Sequence, residues 1–301
     1  MTEENKVFGL PEHEYFAKGH RACAGCGEAI ALRHILKAVD KNTILIGGTG
    51  CSEVVSSPYP YTSWKLPWIH AAFETVASVA TGVSRALKAQ GKDTKVLGIG
   101  GDGSLFDIGF GALSAAAERG EDFAVVCLDN EAYMNTNIQR SGATPKFAET
   151  TTSPFGKKVH GKQETKKQLP YILAMHGCYV ATANPAYPLD LIAKVKKALD
   201  FKGLGYVQCY VPCVPGWKYS PEITVELCKL AVNTNIYPLY EIENGKVKIT
   251  KEPAEPVPVK EYLKLQGRFK HLTEDEVKQV QEYVNKEWDR LKKYQDLQIE
   301  L

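Results

Sequence analysis

The chain has no long apolar run and almost no net charge, and each absence removes a class of function. No stretch approaches the roughly 18 consecutive apolar residues of a membrane-spanning helix, so no membrane partner is expected. Lys and Arg number 37 against 35 Asp and Glu, for a net charge of +2, so no one-signed field exists to draw nucleic acid or an anionic membrane. The opening residues, Met1 to Lys6, are acidic and polar rather than an apolar leader, which makes the cytoplasm the expected compartment. Internal repeats are absent as well.

What is present fits an ordinary soluble protein. A chain of 301 residues with 44% hydrophobic content can bury one large core or two modest ones. Strand-like runs at Thr43 to Ile46, Val96 to Ile99, Phe123 to Leu128, Tyr179 to Ala183 and Tyr206 to Val211 alternate with helical patterns. The helices are expected over Glu28 to Val39, Glu74 to Gln90, Ile108 to Arg119, Lys166 to His176 and Leu189 to Leu199. That alternation predicts an α/β fold, a doubly wound parallel sheet with helices on both faces, filling residues 1–215. Residues 216–301 read as a C-terminal extension for packing or subunit contact. It would hold a hairpin over Leu239 to Ile249 turning at Asn244-Gly245, a Pro-rich connector from Pro253 to Pro258, and an amphipathic helical arm opened by a capping box of Thr273 and Glu276. The stretch Asn130 to Glu164 has weak periodicity and reads as a functional loop or a disordered insertion.

The sequence Gly98-Ile99-Gly100-Gly101-Asp102-Gly103 follows an apolar run and fits a dinucleotide-binding glycine loop. Asp102 argues against that reading, because a carboxylate among amides that cradle a diphosphate repels it unless a divalent cation intervenes. Asn130 follows the next expected strand, so both residues fall at carboxyl ends of neighbouring strands, where ligands bind in such sheets. A carboxylate, an amide oxygen, a backbone carbonyl and diphosphate oxygens would complete an octahedral Mg²⁺ site. A helix starting near Leu105 would aim its N-terminus at the phosphates. The dinucleotide alternative survives in Asp129, which could bind a ribose.

Eight cysteines in a reducing compartment suggest thiols or metal ligands rather than disulfides. Cys23 and Cys26 form C-x-x-C, Cys51 follows Gly47, Gly48 and Gly50, and Cys213 lies between two prolines. All four fall in expected loops, where thiolates can converge on an iron-sulfur cube. Zinc or a redox pair remains open on spacing alone. Cys127, Cys178, Cys209 and Cys228 read as small core residues.

Five segments carry a family resemblance: GHRACAGCG (19–27), TGCSEVVSSPYPYTSW (49–64), WIHAAFE (68–74), GDGSLFDIG (101–109) and DNEAYMNTNIQRSGATP (129–145). Together they resemble the thiamine-diphosphate (beta) subunit of 2-oxoacid:ferredoxin oxidoreductases, from about residue 15 to the C-terminal helix. The resemblance implies thiamine diphosphate, with Asp102, Asn130 and the Ala132 carbonyl as Mg²⁺ ligands and Gly101, Gly103 and Ser104 along the diphosphate. It implies a [4Fe-4S] cluster on Cys23, Cys26, Cys51 and Cys213, with Gly50 and Cys51 near the cofactor, and Asn135 facing the reacting carbon of the substrate. His70 and Glu74 lie in a matching motif and are read either as cofactor contacts or as a buried structural pair. The implied reaction is oxidative decarboxylation of a 2-oxoacid, pyruvate first, with coenzyme A accepting the acyl group and ferredoxin the electrons. Implied partners are the alpha and gamma- or delta-type subunits, and the alpha subunit supplies the glutamate that activates the cofactor.

Two departures bear on the substrate. Ser104, Leu105 and Phe106 stand where relatives carry glycine and small residues, and Asn137 where they carry glycine, so a smaller or more polar pocket, suited to oxalate, is a second expectation. Lys157, Lys158, Lys162, Lys166 and Lys167 could steer ferredoxin or coenzyme A, or be a solvated loop. From other classes, an NAD-dependent dehydrogenase and a zinc-binding scaffold stay as alternatives.

Overall fold

The structure is a computed structural model that describes residues 6–253 and 255–296. Met1 to Asn5, Ala254 of the Pro-rich connector and the last residues of the C-terminal extension therefore lie outside the described residues.

Among the described residues there are ten strands: β1 (Lys6–Val7), β2 (Leu10–Pro11), β3 (Thr43–Gly48), β4 (Trp68–Ala71), β5 (Lys95–Gly101), β6 (Phe123–Asp129), β7 (Tyr179–Ala183), β8 (Leu204–Tyr210), β9 (Leu239–Glu243) and β10 (Lys246–Lys251). β1 and β2 form a small antiparallel pair, and the other eight make one sheet in the order β10-β9-β7-β8-β6-β5-β3-β4. From β7 to β4 all neighbours are parallel. At the centre, β6 is buried along its whole length, the continuous apolar run of a strand covered on both faces.

The helices are α1 (Gly27–Ile35), α2 (Cys51–Ser56), α3 (Val76–Ala89), α4 (Phe110–Glu118), α5 (Leu169–Ala174), α6 (Pro188–Asp200), α7 (Val214–Trp217), α8 (Thr224–Asn233), α9 (Val259–Leu263) and α10 (Glu274–Asp296). Against one face of the sheet, α1 and α6 bury Leu32, Ile35, Leu191 and Val195 on Leu97, Val126 and Val207. On the other, α3, α4 and α5 pack Val76, Leu113 and Leu173 against Ile46, Val125 and Tyr206. At roughly 1.5–3 kcal/mol per fully buried aliphatic side chain, these two layers set the strand ends rigidly. Among the described residues no helix is long and apolar enough to cross a membrane.

Two local features depart from expectation. β4 was not anticipated, because four edge residues are too few for a period to register. The helix expected near Leu105 instead opens as a wide turn over Gly103–Ile108, with the Gly109 N–H donating to the Ser104 carbonyl at 2.7 Å, five residues back. Gly109 has no room for a side chain, since a Cβ there would meet Ser104 O at 2.6 Å and Glu74 O at 2.7 Å. The hairpin forms where expected and is the antiparallel edge of the main sheet, with β9 pairing to β7. Its turn uses left-handed Asn244 (φ 50°) and Gly245 (φ 75°), the geometry that matches strand twist. The capping box forms as expected, with Glu276 N–H donating to Thr273 Oγ1 at 3.2 Å and Thr273 N–H to Glu276 Oε2 at 2.9 Å. A third buried cluster, around Trp217, Tyr210, Leu227, Tyr262 and Val284, ties α8, α9 and α10 to the end of β8.

Candidate active site

Parallel strands carry their chain exits to one edge. β3 leads into Thr49-Gly50-Cys51, β5 into Asp102, β6 into Asn130 and β8 toward Cys213. β5 and β6 are neighbours, with Gly101 opposite Leu128. At this edge lies a cavity of about 290 Å³, with Gly50, Cys51, Gly101, Asp102, Gly103, Asn130, Ala132 and Asn135 all in its walls. A larger cavity of about 420 Å³ lies under α10, walled by tyrosines and aliphatic side chains together with many polar and charged ones, and contains none of the residues expected to hold a cofactor.

Asp102 is only 1% exposed. Its Oδ2 accepts a hydrogen bond from Ser141 Oγ at 2.5 Å, while its Oδ1 is buried without a partner. Asn130 Nδ2 donates to Glu28 Oε1 at 2.7 Å, which leaves Asn130 Oδ1 buried and unpaired too. Burial and the nearby charge of Asp129 push the Asp102 carboxyl well above the usual carboxylate range, the behaviour of crowded buried acids. Two unpaired hard oxygens at adjacent strand ends, beside the Ala132 backbone, are costly without a partner. As a donor set they fit Mg²⁺, which takes oxygen ligands and completes its octahedron from phosphates and water.

Gly101 opens onto free space, whereas a Cβ on Gly103 would strike the Tyr133 ring at 2.7 Å. The ring is held by its hydroxyl, which donates to Asp107 Oδ2 at 3.2 Å. A glycine is therefore needed at position 103 for Tyr133 to form that wall.

Cys23, Cys26, Cys51 and Cys213 sit on two loops and on the first turn of α2 around the same edge. Cys26 N–H donates to the Cys23 carbonyl at 3.1 Å, closing the C-x-x-C turn, and Gly27 N–H donates to Pro212 O at 3.1 Å. Thr224 Oγ1 holds the Gly25 carbonyl at 2.7 Å, so the turn is clamped against the segment bearing Cys213. Cys51 opens α2. Burial pushes the Cys26 thiol up to about 11 and the Cys213 thiol up to about 12, each also raised by the neighbouring cysteines and by Glu28. Burial raises Cys51 as well, with Cys213 and Cys26 among its neighbouring charges. The four thiols thus form one electrostatic neighbourhood, a soft donor set suited to thiophilic metal centres. Among the described residues no group of three or more His, Cys, Asp or Glu side chains closes into a single-ion cage. Cys127, Cys178, Cys209 and Cys228 are buried.

The profile described as "Thiamine pyrophosphate enzyme, C-terminal TPP binding domain" matches residues 48–209. Pyruvate synthase subunit PorB of Methanocaldococcus jannaschii is 52% identical over 288 residues, covering 93% of this chain and 97% of that one. Ketoisovalerate oxidoreductase subunit VorB of Pyrococcus furiosus is 44% identical over 293 residues, 94% of each chain. The chain belongs to the beta subunits of the 2-oxoacid:ferredoxin oxidoreductases. A solved 2-oxoglutarate:ferredoxin oxidoreductase from Magnetococcus marinus shares the fold, with TM-score 0.57 and 23% identity over 76% of this chain and 84% of that one. In this beta subunit the thiamine-binding match contains Cys51, Asp102 and Asn130, while Cys23, Cys26 and Cys213 lie outside it.

Several expected residues of this beta subunit stand elsewhere. Ser104 turns from the cavity and donates its hydroxyl to the Phe73 carbonyl at 2.5 Å, while Leu105 and Phe106 are buried in the core against α3 and α4. The wide turn after Asp102 rotates these side chains inward, so they do not form the pocket wall. His70 and Glu74 are exposed rather than a buried pair, and His70 Nε2 pairs with Thr49 Oγ1 at 2.8 Å. Neither enters the cavity wall. Asn137 is exposed, in a left-handed conformation (φ 91°). Of the lysines, only Lys157 and Lys158 are fully exposed. Lys162 is buried and donates to the Thr144 carbonyl at 2.6 Å, Lys166 bonds Asp129 and Glu131, and Lys167 pairs with Asp107. The run is therefore mostly internal wiring.

Glu28 was missed. It lines the cavity beside Asn130, and burial raises its carboxyl to about 7, with the Asn130 hydrogen bond pulling the other way. An acid in a first helical turn ordinarily complements the helix dipole, and that local reading hid its long-range partner.

Proposed function

We propose that this chain is the thiamine-carrying subunit of a pyruvate:ferredoxin-type oxidoreductase, with Mg²⁺ held by Asp102, Asn130 and the Ala132 carbonyl. The observation that carries this reading is the pair of unpaired buried oxygens, Asp102 Oδ1 and Asn130 Oδ1, at the ends of adjacent parallel strands. Pyruvate is favoured by the identity to pyruvate synthase subunits. The argument for oxalate rests on Ser104, Leu105, Phe106 and Asn137, none of which lines the cavity.

Thiamine diphosphate, when bound, supplies carbanion stabilisation for cleaving carbon dioxide from a 2-oxoacid, and a [4Fe-4S] cluster supplies one-electron acceptance. The chain's own part is placement. Asp102 and Asn130 offer oxygens to the metal, and Glu28 holds the Asn130 amide by its nitrogen so that the oxygen is left for the metal. Gly101 leaves room for the diphosphate, and Gly103 admits the Tyr133 ring that walls the cavity. Cys23, Cys26, Cys51 and Cys213 offer the four thiolates that the cluster takes, and Asn135 stands at the open edge for the substrate. Coenzyme A, ferredoxin and the alpha and gamma- or delta-type subunits complete the reaction, so the isolated chain is expected to be inactive.

The test is anaerobic co-purification with the partner subunits, followed by metal analysis, thiamine extraction and electron paramagnetic resonance after reduction. Iron, magnesium and thiamine diphosphate should all be present, with a reduced-cluster signal. Absence of iron or of thiamine overturns the assignment, zinc without thiamine favours the scaffold, and bound nicotinamide the dehydrogenase.

A further inference from the structure

Glu131 stands between the two proposed metal-binding residues, Asn130 and Ala132, and its backbone is left-handed at φ 67°. Residues other than glycine seldom adopt that conformation, and they keep it where the surroundings over-determine it. Here they do. The Glu131 carbonyl accepts from Thr144 Oγ1 at 2.6 Å. Its carboxylate takes Lys166 Nζ on Oε1 at 3.1 Å and Arg268 Nη2 on Oε2 at 2.6 Å. Lys166 continues to Asp129 Oδ2 at 2.6 Å.

Arg268 comes from the C-terminal extension and is 2% exposed. Its guanidinium also lies 3.8 Å from the centre of the Trp217 ring, and Trp217 Nε1 donates to the Asn130 carbonyl at 2.9 Å. One side chain thus reaches the metal loop twice, through Glu131 and through Trp217. Gln266 fixes its approach, accepting from Arg268 Nε at 2.9 Å.

We propose that Arg268 is a positioning residue for the Mg²⁺ site, holding the backbone at Glu131 so that the Asn130 amide oxygen and the Ala132 carbonyl serve one ion. The inference rests on the Mg²⁺ reading of Asp102 and Asn130. Stability alone gives little reason for such a pair, since a buried ion pair is often replaceable by apolar groups without loss. An ammonium cannot substitute, because the site uses both the planar fork and the flat π-stacking face of arginine.

The experiment uses the assembled complex, stripped of thiamine diphosphate and Mg²⁺ by chelation under anaerobic conditions. Calorimetric binding of thiamine diphosphate is measured as Mg²⁺ is varied. In the Arg268→Lys variant the Mg²⁺ concentration for half-maximal binding should rise about tenfold or more, the usual cost of losing a group that orients a metal ligand. Full binding should return at high Mg²⁺, with iron content and the reduced-cluster signal unchanged. A merely structural defect would lower occupancy without being rescued by Mg²⁺, and that result overturns the proposal. So does an unchanged Mg²⁺ requirement in Arg268→Lys. If that variant does not assemble, Gln266→Ala loosens Arg268 while keeping its charge pair and should shift the requirement the same way by a smaller factor. No shift there is equally decisive. Wild-type binding that ignores Mg²⁺ defeats the underlying metal reading together with the inference, whereas a Mg²⁺-dependent wild type with unshifted variants defeats the inference alone.

Discussion

The oxygen donors and the sulfur donors share one edge of the sheet but are built in opposite ways. Asp102 and Asn130 are buried on consecutive strand ends and held by Ser141, Glu28 and the Lys166 and Arg268 pairs around Glu131. Cys23 is exposed and Cys26, Cys51 and Cys213 are half-buried, Cys51 on the first turn of α2 and the others on loops, where the C-x-x-C turn is held by the Gly27–Pro212 and Thr224–Gly25 hydrogen bonds. The difference follows the chemistry of the expected guests. Mg²⁺ demands near-ideal octahedral geometry, so its ligands must be set beforehand by rigid elements. Thiolate–metal bonds are strong enough for binding itself to complete the folding of their loops.

That contrast is sharpest in Asp102→Ala. Mg²⁺-dependent thiamine diphosphate binding should fall by more than about 100-fold while iron content stays at the wild-type level. The cofactor-free variant should also melt higher, because burial and Asp129 oppose the charged form of Asp102 in the folded chain. Calorimetric titration and thermal melts check both, and full cofactor affinity in the variant would remove Asp102 from the metal site. Next in size, Cys213→Ser should deplete iron and the reduced-cluster signal while leaving the Mg²⁺ requirement as it was. Loss of both together would mean that the two halves of the edge form one cooperative unit.

The smallest effect lies far from the site and sets the scale for an ordinary ion pair. Glu14 accepts from Arg33 Nη2 at 2.7 Å and Lys37 Nζ at 2.9 Å, and these partners, Arg33 first, hold its carboxyl down at about 2. A depressed acid stabilises the fold above its unfolded value and loses that contribution as pH falls toward the folded one. Glu14→Gln should therefore cost about 1 kcal/mol at neutral pH, since Arg33 is solvated although Lys37 is buried, and much less near pH 2. Chemical denaturation at the two pH values measures it, and an equal loss at both would point to packing instead.

Much of this division was legible before folding. The central strands are apolar runs long enough to register, and Asp102 stood out because a carboxylate is out of place in a phosphate loop. β4 escaped because it is short, and the wide turn after Asp102 because nothing local separates it from a regular helix start. His70 and Glu74 drew attention through their motif, yet lie outside the cavity. Lys166 looked like part of a surface charge run, and its burial follows from two carboxylates that come to meet it.

The sequence by itself determined which residues could do chemistry and that they belong to an alternating α/β chain, because composition and period are local properties. Tertiary structure alone decided the partners: Glu28 with Asn130 across 102 positions, and Arg268 with Glu131 across 137. Such pairs leave no local trace, since a buried charge is tolerable only once its counter-charge has been brought to it. The sheet does that by bringing distant strand ends to a common edge.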